Sequence, residues 1–115
     1  MSYTNRIVWE TLRTLNTATD VQFGLGNYSP VGGPLTHPSY ILKMVNNSNV
    51  LVTVSIDGVT DIDVAPANSF WLYDEDEGND RHPAMPSGTQ IYVKSGTGAA
   101  GVGNVYLVSQ YLMTN

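Results

Sequence analysis

The alternating segment 50–56 (VLVTVSI) constrains the fold of this chain more than any other feature of the sequence. In a strand, successive side chains point to opposite faces, so a repeat of two separates two sets of residues. One set is Val50, Val52, Val54 and Ile56, and the other is Thr53 and Ser55. The β-branched character of both sets favours a strand with one buried face and one solvent-facing side.

Further strands are predicted where similar runs lie between turn residues. Asp57-Gly58 is expected to form a two-residue hairpin turn into a strand over 59–64. The other predicted strands are 6–15, 39–46, 69–74, 89–95 and 104–113. Turn residues recur about every 8–12 residues, which is typical of β-sandwiches and barrels. The sequence therefore predicts an all-β fold, a single β-sandwich of jelly-roll type with seven or eight short antiparallel strands over residues 1–115.

Two long surface loops are predicted, at 24–38 and 75–88. The first contains four glycines and three prolines, which exclude regular structure. Long loops in compact domains often serve function or contact a partner, so this loop and the N-terminal segment are expected to form inter-subunit contacts. Deletion of 24–36 is expected to leave the domain folded. The residues predicted to be exposed for this purpose are Phe23, Leu25, Tyr28, Val31 and Leu35.

Charge argues against two classes of partner. The formal net charge is −5, and the five Lys and Arg residues are scattered along the chain without a cluster. Binding to nucleic acid or to anionic lipid depends on clustered cations, so neither nucleic acid nor a membrane is an expected partner. Charged residues make up only 13% of the sequence, about half of the usual share, which suits a surface that is covered by other subunits.

Cysteine is absent, which excludes disulfides and thiolate metal sites. The N-terminus MSYTNRIVWE lacks the charged and apolar regions of a signal peptide, and no apolar run is long enough to span a bilayer. Synthesis in a reducing cytoplasm is therefore expected.

An acidic run offers a candidate metal site. Five of the ten acidic residues lie between positions 74 and 80 (DEDEGND), and calcium prefers several oxygen ligands. Asp74, Asp76 and Asp80 are the weak candidates for such a site. The spacing departs from the EF-hand pattern, and a solvated loop that discourages edge pairing explains the run more simply. No metal is therefore predicted.

The sequence contains no recognisable catalytic motif. It has no nucleophile elbow, no phosphate-binding loop followed by Lys-Ser or Lys-Thr, and no Cys–His pair. Exposed aspartates such as Asp61 and Asp63 on the solvent side of a strand are ordinary surface residues. We therefore expect a protein that is not an enzyme and that uses no cofactor.

Aromatic residues leave a second function open. Trp71 and Tyr73 lie on the same side of one predicted strand and could form a sugar-stacking platform. Tyr and Trp are equally typical of cores and subunit interfaces, which is the more frequent use. A carbohydrate-binding, lectin-like module for attachment to a host surface is therefore the alternative prediction.

Several stretches resemble a family of small structural proteins of tailed-bacteriophage virions. They are VWETLRTL near the start, the stretch from Gly32 to Asn49, and residues 52–74, 86–98 and 105–112. The resemblance covers most of the chain except the acidic loop 75–83. It implies a capsid decoration protein, a head–tail adaptor or a tail component.

Together, the residues and the resemblance predict a non-enzymatic virion structural protein. It is expected to pack as a repeated subunit in the capsid, head–tail connector or tail, as a homo-oligomer or ring. Its expected partners are other copies of itself and other virion proteins, and its expected location is the virion after synthesis in the host bacterial cytoplasm. Symmetric repetition would supply buried area that a chain of this length lacks by itself.

Overall fold

The computed structural model describes residues 5–39, 41–74 and 85–114. These residues are mostly β-structure, with one short helix, α1 (Val21–Gly24). The strands are β1 (Asn5–Trp9), β2 (Arg13–Asn16), β3 (Ser29–Pro30), β4 (Ile41–Ser48), β5 (Val52–Ser55), β6 (Asp63–Ala65), β7 (Ser69–Asp74), β8 (Tyr92–Ser95) and β9 (Gly103–Thr114).

The strands form two antiparallel sheets. In the first sheet, β9 lies between β4 and the pair β1 and β2, and β7 follows β4 at the far edge. The second sheet has the order β3-β8-β5-β6. The pairs are nested in sequence: β5 pairs with β6, β4 with β7, β3 with β8, and β1 and β2 with β9.

Both sheets contribute to one core. Alternate residues of each strand point inward, and the loop after β2 adds apolar side chains to the same cluster. The buried apolar residues are Leu15, Phe23, Val31, Leu35, Leu42, Met44, Val52, Val54, Ala65, Ile91, Val93, Val105 and Leu107. The predicted all-β class with two facing sheets thus agrees with the structure.

A β-bulge divides the predicted strand 6–15 into β1 and β2. Trp9 is opposite Gln110 and Arg13 is opposite Leu107, so three residues, Glu10 to Leu12, face only two residues of β9. The extra residue shifts the alternation by one position. Glu10 and Arg13, which would lie on opposite faces of a regular strand, consequently both lie on the inner side. The prediction of one continuous strand was wrong for this reason.

The predicted two-residue turn at Asp57-Gly58 is also wrong. Val54 pairs with Asp63, so residues 56–62 form a wider connection between β5 and β6. Asp57 organises it, because its carboxylate accepts hydrogen bonds from the backbone N–H groups of Val59 and Thr60 at 2.8 and 2.7 Å. These bonds hold the pKa of Asp57 well below its ordinary value.

Segment 50–56 deviates from the predicted alternation at its end. Val52 and Val54 are buried as expected, but Thr53 and Ser55 are buried as well, and Ile56 is exposed. The following connection folds back over Ser55, whose hydroxyl accepts hydrogen bonds from the backbone N–H groups of Asp57 and Gly58 at 3.2 and 3.0 Å.

The side chain of Asn46 binds the connection that follows β4 and the connection that follows β6. The strand β4 continues through Ser48, beyond the predicted end at Asn46, and both residues are buried. The Asn46 side-chain amide donates to the carbonyl oxygens of Val50 at 2.8 Å, Ala65 at 2.9 Å and Pro66 at 3.1 Å. Its own side-chain oxygen accepts a hydrogen bond from the Ser48 hydroxyl. Because the amide carries two hydrogens, one of them is shared between two carbonyls, and this single buried side chain contacts both the connection after β4 and the end of β6.

We expect Asn46→Ala to lower the free energy of unfolding by about 2–4 kcal/mol, because it leaves buried carbonyl groups without a donor. Asn47→Ala is the matched control, since Asn47 is the exposed neighbour on the same strand. It should change stability by no more than about 0.5 kcal/mol. Urea denaturation of the two variants measures the difference, and equal stabilities would contradict the role assigned to Asn46.

Candidate interaction surface

The outward side of the first sheet is largely apolar. Val105 and Leu107 of β9 point into the core, so the residues between and opposite them point outward. We call this surface the outer face. The described side chains that form it are Ile7, Trp9, Thr14, Ile41, Lys43, Val45, Phe70, Leu72, Tyr106, Val108 and Gln110.

Several of these side chains are exposed to an unusual degree for their type. Trp9 is 62% exposed, Phe70 60% and Leu72 49%. Scattered apolar residues are normal on a protein surface, but a contiguous group of large ones marks an interaction site. The rows across the sheet make this group contiguous, because Phe70, Val45 and Tyr106 are direct neighbours on three adjacent strands.

A shallow depression of 380 Å³ lies on the outer face, at the row formed by Phe70, Val45 and Tyr106. Val45 lies on the middle strand, and the aromatic rings of Phe70 and Tyr106 lie on the strands beside it. Aromatic walls and an aliphatic floor suit an apolar or aromatic side chain of a partner. The residues around the depression are Lys43, Val45, Asn46, Asn47, Asn68, Ser69, Phe70 and Tyr106.

The outer face is nearly free of charge. Among its described side chains, only Lys43 is ionisable with a charge at neutral pH, although the chain has a net charge of −5. The edge toward the loops carries amides, from Asn16, Asn104 and Asn47. Apolar and amide groups cost less to desolvate than carboxylates do, so this face is the part of the described surface best suited to burial against protein.

Three of the five residues predicted to be exposed for inter-subunit contact are buried in the structure. Phe23, Val31 and Leu35 are not exposed but belong to the core, each with at most 2% of its surface accessible. Leu25 is exposed, and Tyr28 is half-buried. Deletion of 24–36 would remove Val31 and Leu35 from the core, which argues against the expectation that the domain stays folded. Whether it contacts another subunit stays a prediction.

Hydrogen bonds to Asp20 and the pairing of β3 with β8 hold the first part of the loop 24–38 against the domain. Asp20 caps α1 by accepting a hydrogen bond from the Phe23 N–H at 3.0 Å, and it also accepts one from the Ser29 hydroxyl at 2.9 Å. The β3 strand then pairs with β8. These bonds direct Phe23 into the core, which hydropathy alone did not reveal in a segment rich in Gly and Pro.

The sugar platform does not have the predicted orientation. Trp71 is partly buried and packs against the core, and its indole N–H donates a hydrogen bond to the Asp63 carboxylate. The side chain of Tyr73 lies outside the described part. Phe70 and Leu72, on the other side of β7, are the exposed residues. Both sides of SFWLYD are apolar, so the sequence alone did not indicate which side of this strand points into the core.

The acidic run that contains the weak calcium candidates lies mostly outside the described residues. Asp76 and Asp80 lie outside them, as does the side chain of Asp74. Within 5–39, 41–74 and 85–114, no group of three or more His, Cys, Asp or Glu residues is arranged to hold a metal ion.

The aspartates around β6 have structural partners. The Tyr28 hydroxyl donates a hydrogen bond to Asp61, and the Lys94 ammonium lies 3.1 Å from Asp61 and 4.7 Å from the centre of the Tyr28 ring. Burial and the Asp61 carboxylate raise the pKa of Tyr28 above its ordinary value, and the Tyr28 hydroxyl and Lys94 lower the pKa of Asp61. This cluster joins the 56–62 connection to the second sheet.

Glu10 and Arg13 hold the loop after β3 against the first sheet. The Arg13 guanidinium lies 2.8 Å from the Glu10 carboxylate and donates to the carbonyls of Gly33 at 2.8 Å and Pro34 at 2.9 Å. Glu10 accepts a hydrogen bond from the His37 N–H at 2.8 Å. We call Glu10, Arg13 and the loop groups they bind the inner clamp.

The inner clamp controls the ionisation of Glu10. Its side chain is only 4% exposed, and this burial by itself opposes ionisation. Hydrogen bonds from Arg13, His37 and Thr36 outweigh the burial and lower the pKa of Glu10 from 4.5 to about 2. The bulge that brings Glu10 and Arg13 to one side of the sheet is the reason that these bonds can form.

Comparison with known proteins adds no assignment. The sequence matches no protein-family model, and no curated protein shows significant similarity to it. In the described part of the chain, no helix is long and apolar enough to cross a membrane. The outer face is therefore the feature from which a function can be argued.

The inner clamp predicts a loss of stability in acid. Because the pKa of Glu10 is lower in the folded protein, ionised Glu10 stabilises the fold above pH 4.5, and this contribution disappears as the pH falls toward 2. It amounts to about 3 kcal/mol at most. Glu10→Gln should be less stable than the parent at pH 7 and should show a shallower decline between pH 5 and 2. Urea denaturation across this range measures both effects, and parallel pH profiles would contradict the assignment.

Proposed function

We propose that this chain is a non-enzymatic structural protein of a bacteriophage particle, where it packs as a repeated subunit in the capsid, head–tail connector or tail. The observation that carries the proposal is the outer face, an apolar and nearly uncharged sheet surface on an acidic chain. Its partners are other copies of the chain and other virion proteins. It is made in the host bacterial cytoplasm and is located in the virion.

The size of the outer face supports a protein partner. The eight residues of β4 extend over about 27 Å, and four adjacent strands span about 19 Å, which gives a projected area of about 500 Å². Two such faces in contact would cover about 1,000 Å² in total, which reaches the lower size of specific interfaces. A partner of this kind would also cover Trp9 and Phe70, residue types that dominate interface energetics.

The connectivity supports a jelly roll. If β1 and β2 are counted as one strand interrupted by the bulge, eight strands form two sheets of four. Nested pairs that alternate between the sheets are what a long hairpin gives when it is rolled up, and this is the plan of a jelly roll. Viral capsid and lectin domains share that plan, so the fold favours a virion setting only by analogy. The resemblance to small tailed-phage proteins favours the same setting.

Assembly through the outer face predicts a specific mutational effect. Trp9→Lys places a charge on this face, and because Trp9 is exposed the domain should keep its stability. We expect at least a tenfold weaker self-association in sedimentation velocity. Val102→Lys is the control, since Val102 is 72% exposed but lies outside the outer face. Equal effects of the two substitutions would argue against this surface.

The location can be tested directly. Particles made from the genome that encodes this chain, with a tag at its C-terminus, should bind anti-tag gold at a repeated position in negative-stain images. Mass spectrometry of the same purified particles should detect the chain in many copies. Its absence from purified particles would refute the virion proposal.

A further inference from the structure

The free edge of the first sheet offers a second kind of contact. An edge strand presents unpaired N–H and C=O groups, and proteins normally shorten, bend or block such edges. In the described part of the chain, β3 has two residues and includes Pro30, and β6 has three. The bulge interrupts the edge formed by β1 and β2. The β7 edge has six residues and no bulge, so it is neither shortened nor bent, and the acidic run that begins at Asp74 restricts which pairings this edge can form.

The orientation of the β9 backbone follows from two hydrogen bonds. The Glu10 N–H donates to the Ser109 carbonyl at 2.9 Å, and the Thr17 N–H donates to the Gly103 carbonyl at 3.1 Å. In an antiparallel ladder the N–H and C=O of one residue point to the same side, and neighbouring residues point to opposite sides. The odd-numbered residues from 103 to 109 therefore direct their backbone N–H and C=O groups toward β1 and β2. The even-numbered residues direct theirs toward β4.

The same alternation assigns the groups of β4 and β7. Even-numbered residues of β9 are opposite odd-numbered residues of β4, so these odd-numbered residues direct their backbone groups toward β9. The even-numbered residues of β4 must then direct their backbone N–H and C=O groups toward β7. The hydrogen bond from the Asn68 N–H to the Ser48 carbonyl, 3.2 Å long, agrees with this orientation. Met44 is opposite Trp71, so the backbone N–H and C=O groups of Trp71 point toward β4.

Phe70 and Leu72 therefore direct their backbone N–H and C=O groups away from the sheet. Neither residue takes part in the backbone hydrogen bonds that the described residues form outside the strand ladders. Their side chains are exposed on the outer face, next to this edge. Within the described residues, this edge thus combines backbone groups that no other strand pairs with and apolar side chains, the combination used in strand addition.

We propose that β7 pairs in an antiparallel orientation with β7 of a second copy of this chain, about a two-fold axis that passes beside Trp71. In this register Phe70 of each copy is opposite Leu72 of the other. Such a pair exchanges both N–H···O bonds, and the symmetry repeats it. The two first sheets then form one continuous sheet, and their outer faces become a single apolar surface.

Side-chain matching and charge favour this partner and this register. Phe70 opposite Leu72 is an apolar cross-strand pair, which stabilises a ladder. A shift by two residues would put Phe70 opposite Asp74. The acidic run 74–80 follows β7 in the sequence. Antiparallel pairing directs the two runs to opposite ends of the contact, whereas parallel pairing would bring like charges together.

The pairing goes beyond the proposed function and does not depend on a virion. Its test is Leu72→Pro, which removes an N–H that is bonded to no described residue, at an edge position where proline is tolerated. Leu72→Val is the matched control, since valine has a similar size and keeps the N–H. We expect a dimer for the wild type and for Leu72→Val in analytical ultracentrifugation. Leu72→Pro should weaken dimerisation at least tenfold with an unchanged circular dichroism spectrum.

Amide exchange makes the test independent of how well Leu72→Pro folds. In the wild type, the amides of Phe70 and Leu72 should exchange slowly at high protein concentration and fast on dilution, and Trp9→Lys should leave this behaviour intact. An undiminished Leu72→Pro dimer would overturn the pairing. Protection that is equal at all concentrations would overturn it too, since it would mean that the chain covers its own edge. If Trp9→Lys self-associates as strongly as the wild type while the amides of Phe70 and Leu72 behave as expected, the result would count only against the outer-face proposal.

Discussion

The side-chain amide of Asn46 donates hydrogen bonds to carbonyls from two separate parts of the chain, and it holds these parts together at this end of the domain. Val50 belongs to the connection that leaves the first sheet, Ala65 to an edge strand of the second, and Pro66 to the connection that returns. Chain segments that cross between sheets cannot use ladder hydrogen bonds at the crossing. A buried donor is the means of avoiding the desolvation cost of their carbonyls.

The opposite side of the domain is held by ionised groups. The bulge at Glu10 brings two charged residues to the inner side of a strand, where Arg13 and Glu10 bind each other and the backbone of the loop 33–37. A paired and hydrogen-bonded charge tolerates burial that an isolated charge does not. His37 extends this side of the structure, since its ring stacks on Tyr111 at 3.7 Å. The loop is consequently part of the folded domain.

All described elements that pack on the first sheet lie on its inner side, so its outer face is not covered by them. The loop after β2, the short helix and the second sheet all pack on the inner side, where Phe23, Val31 and Leu35 complete the core. No described element covers the outward side of β9, β4 and β7, although their side chains there are largely apolar. A sheet with two apolar faces has only one of them covered by the described chain, and the proposed packing as a repeated subunit would cover the other.

The sequence by itself determined the all-β class, the bounds of β7, and the approximate positions of β4, β5, β8 and β9, because side-chain alternation and turn residues are local properties. It did not determine which apolar residues are covered. The burial of Phe23, the inward direction of Trp71 and the exposure of Phe70 depend on which segment packs against which face. The shift of one residue at the bulge and the use of Asn46 as a donor between sheets were likewise decided only by the tertiary structure. Their energetic value comes from groups distant in sequence, so no local pattern encodes them.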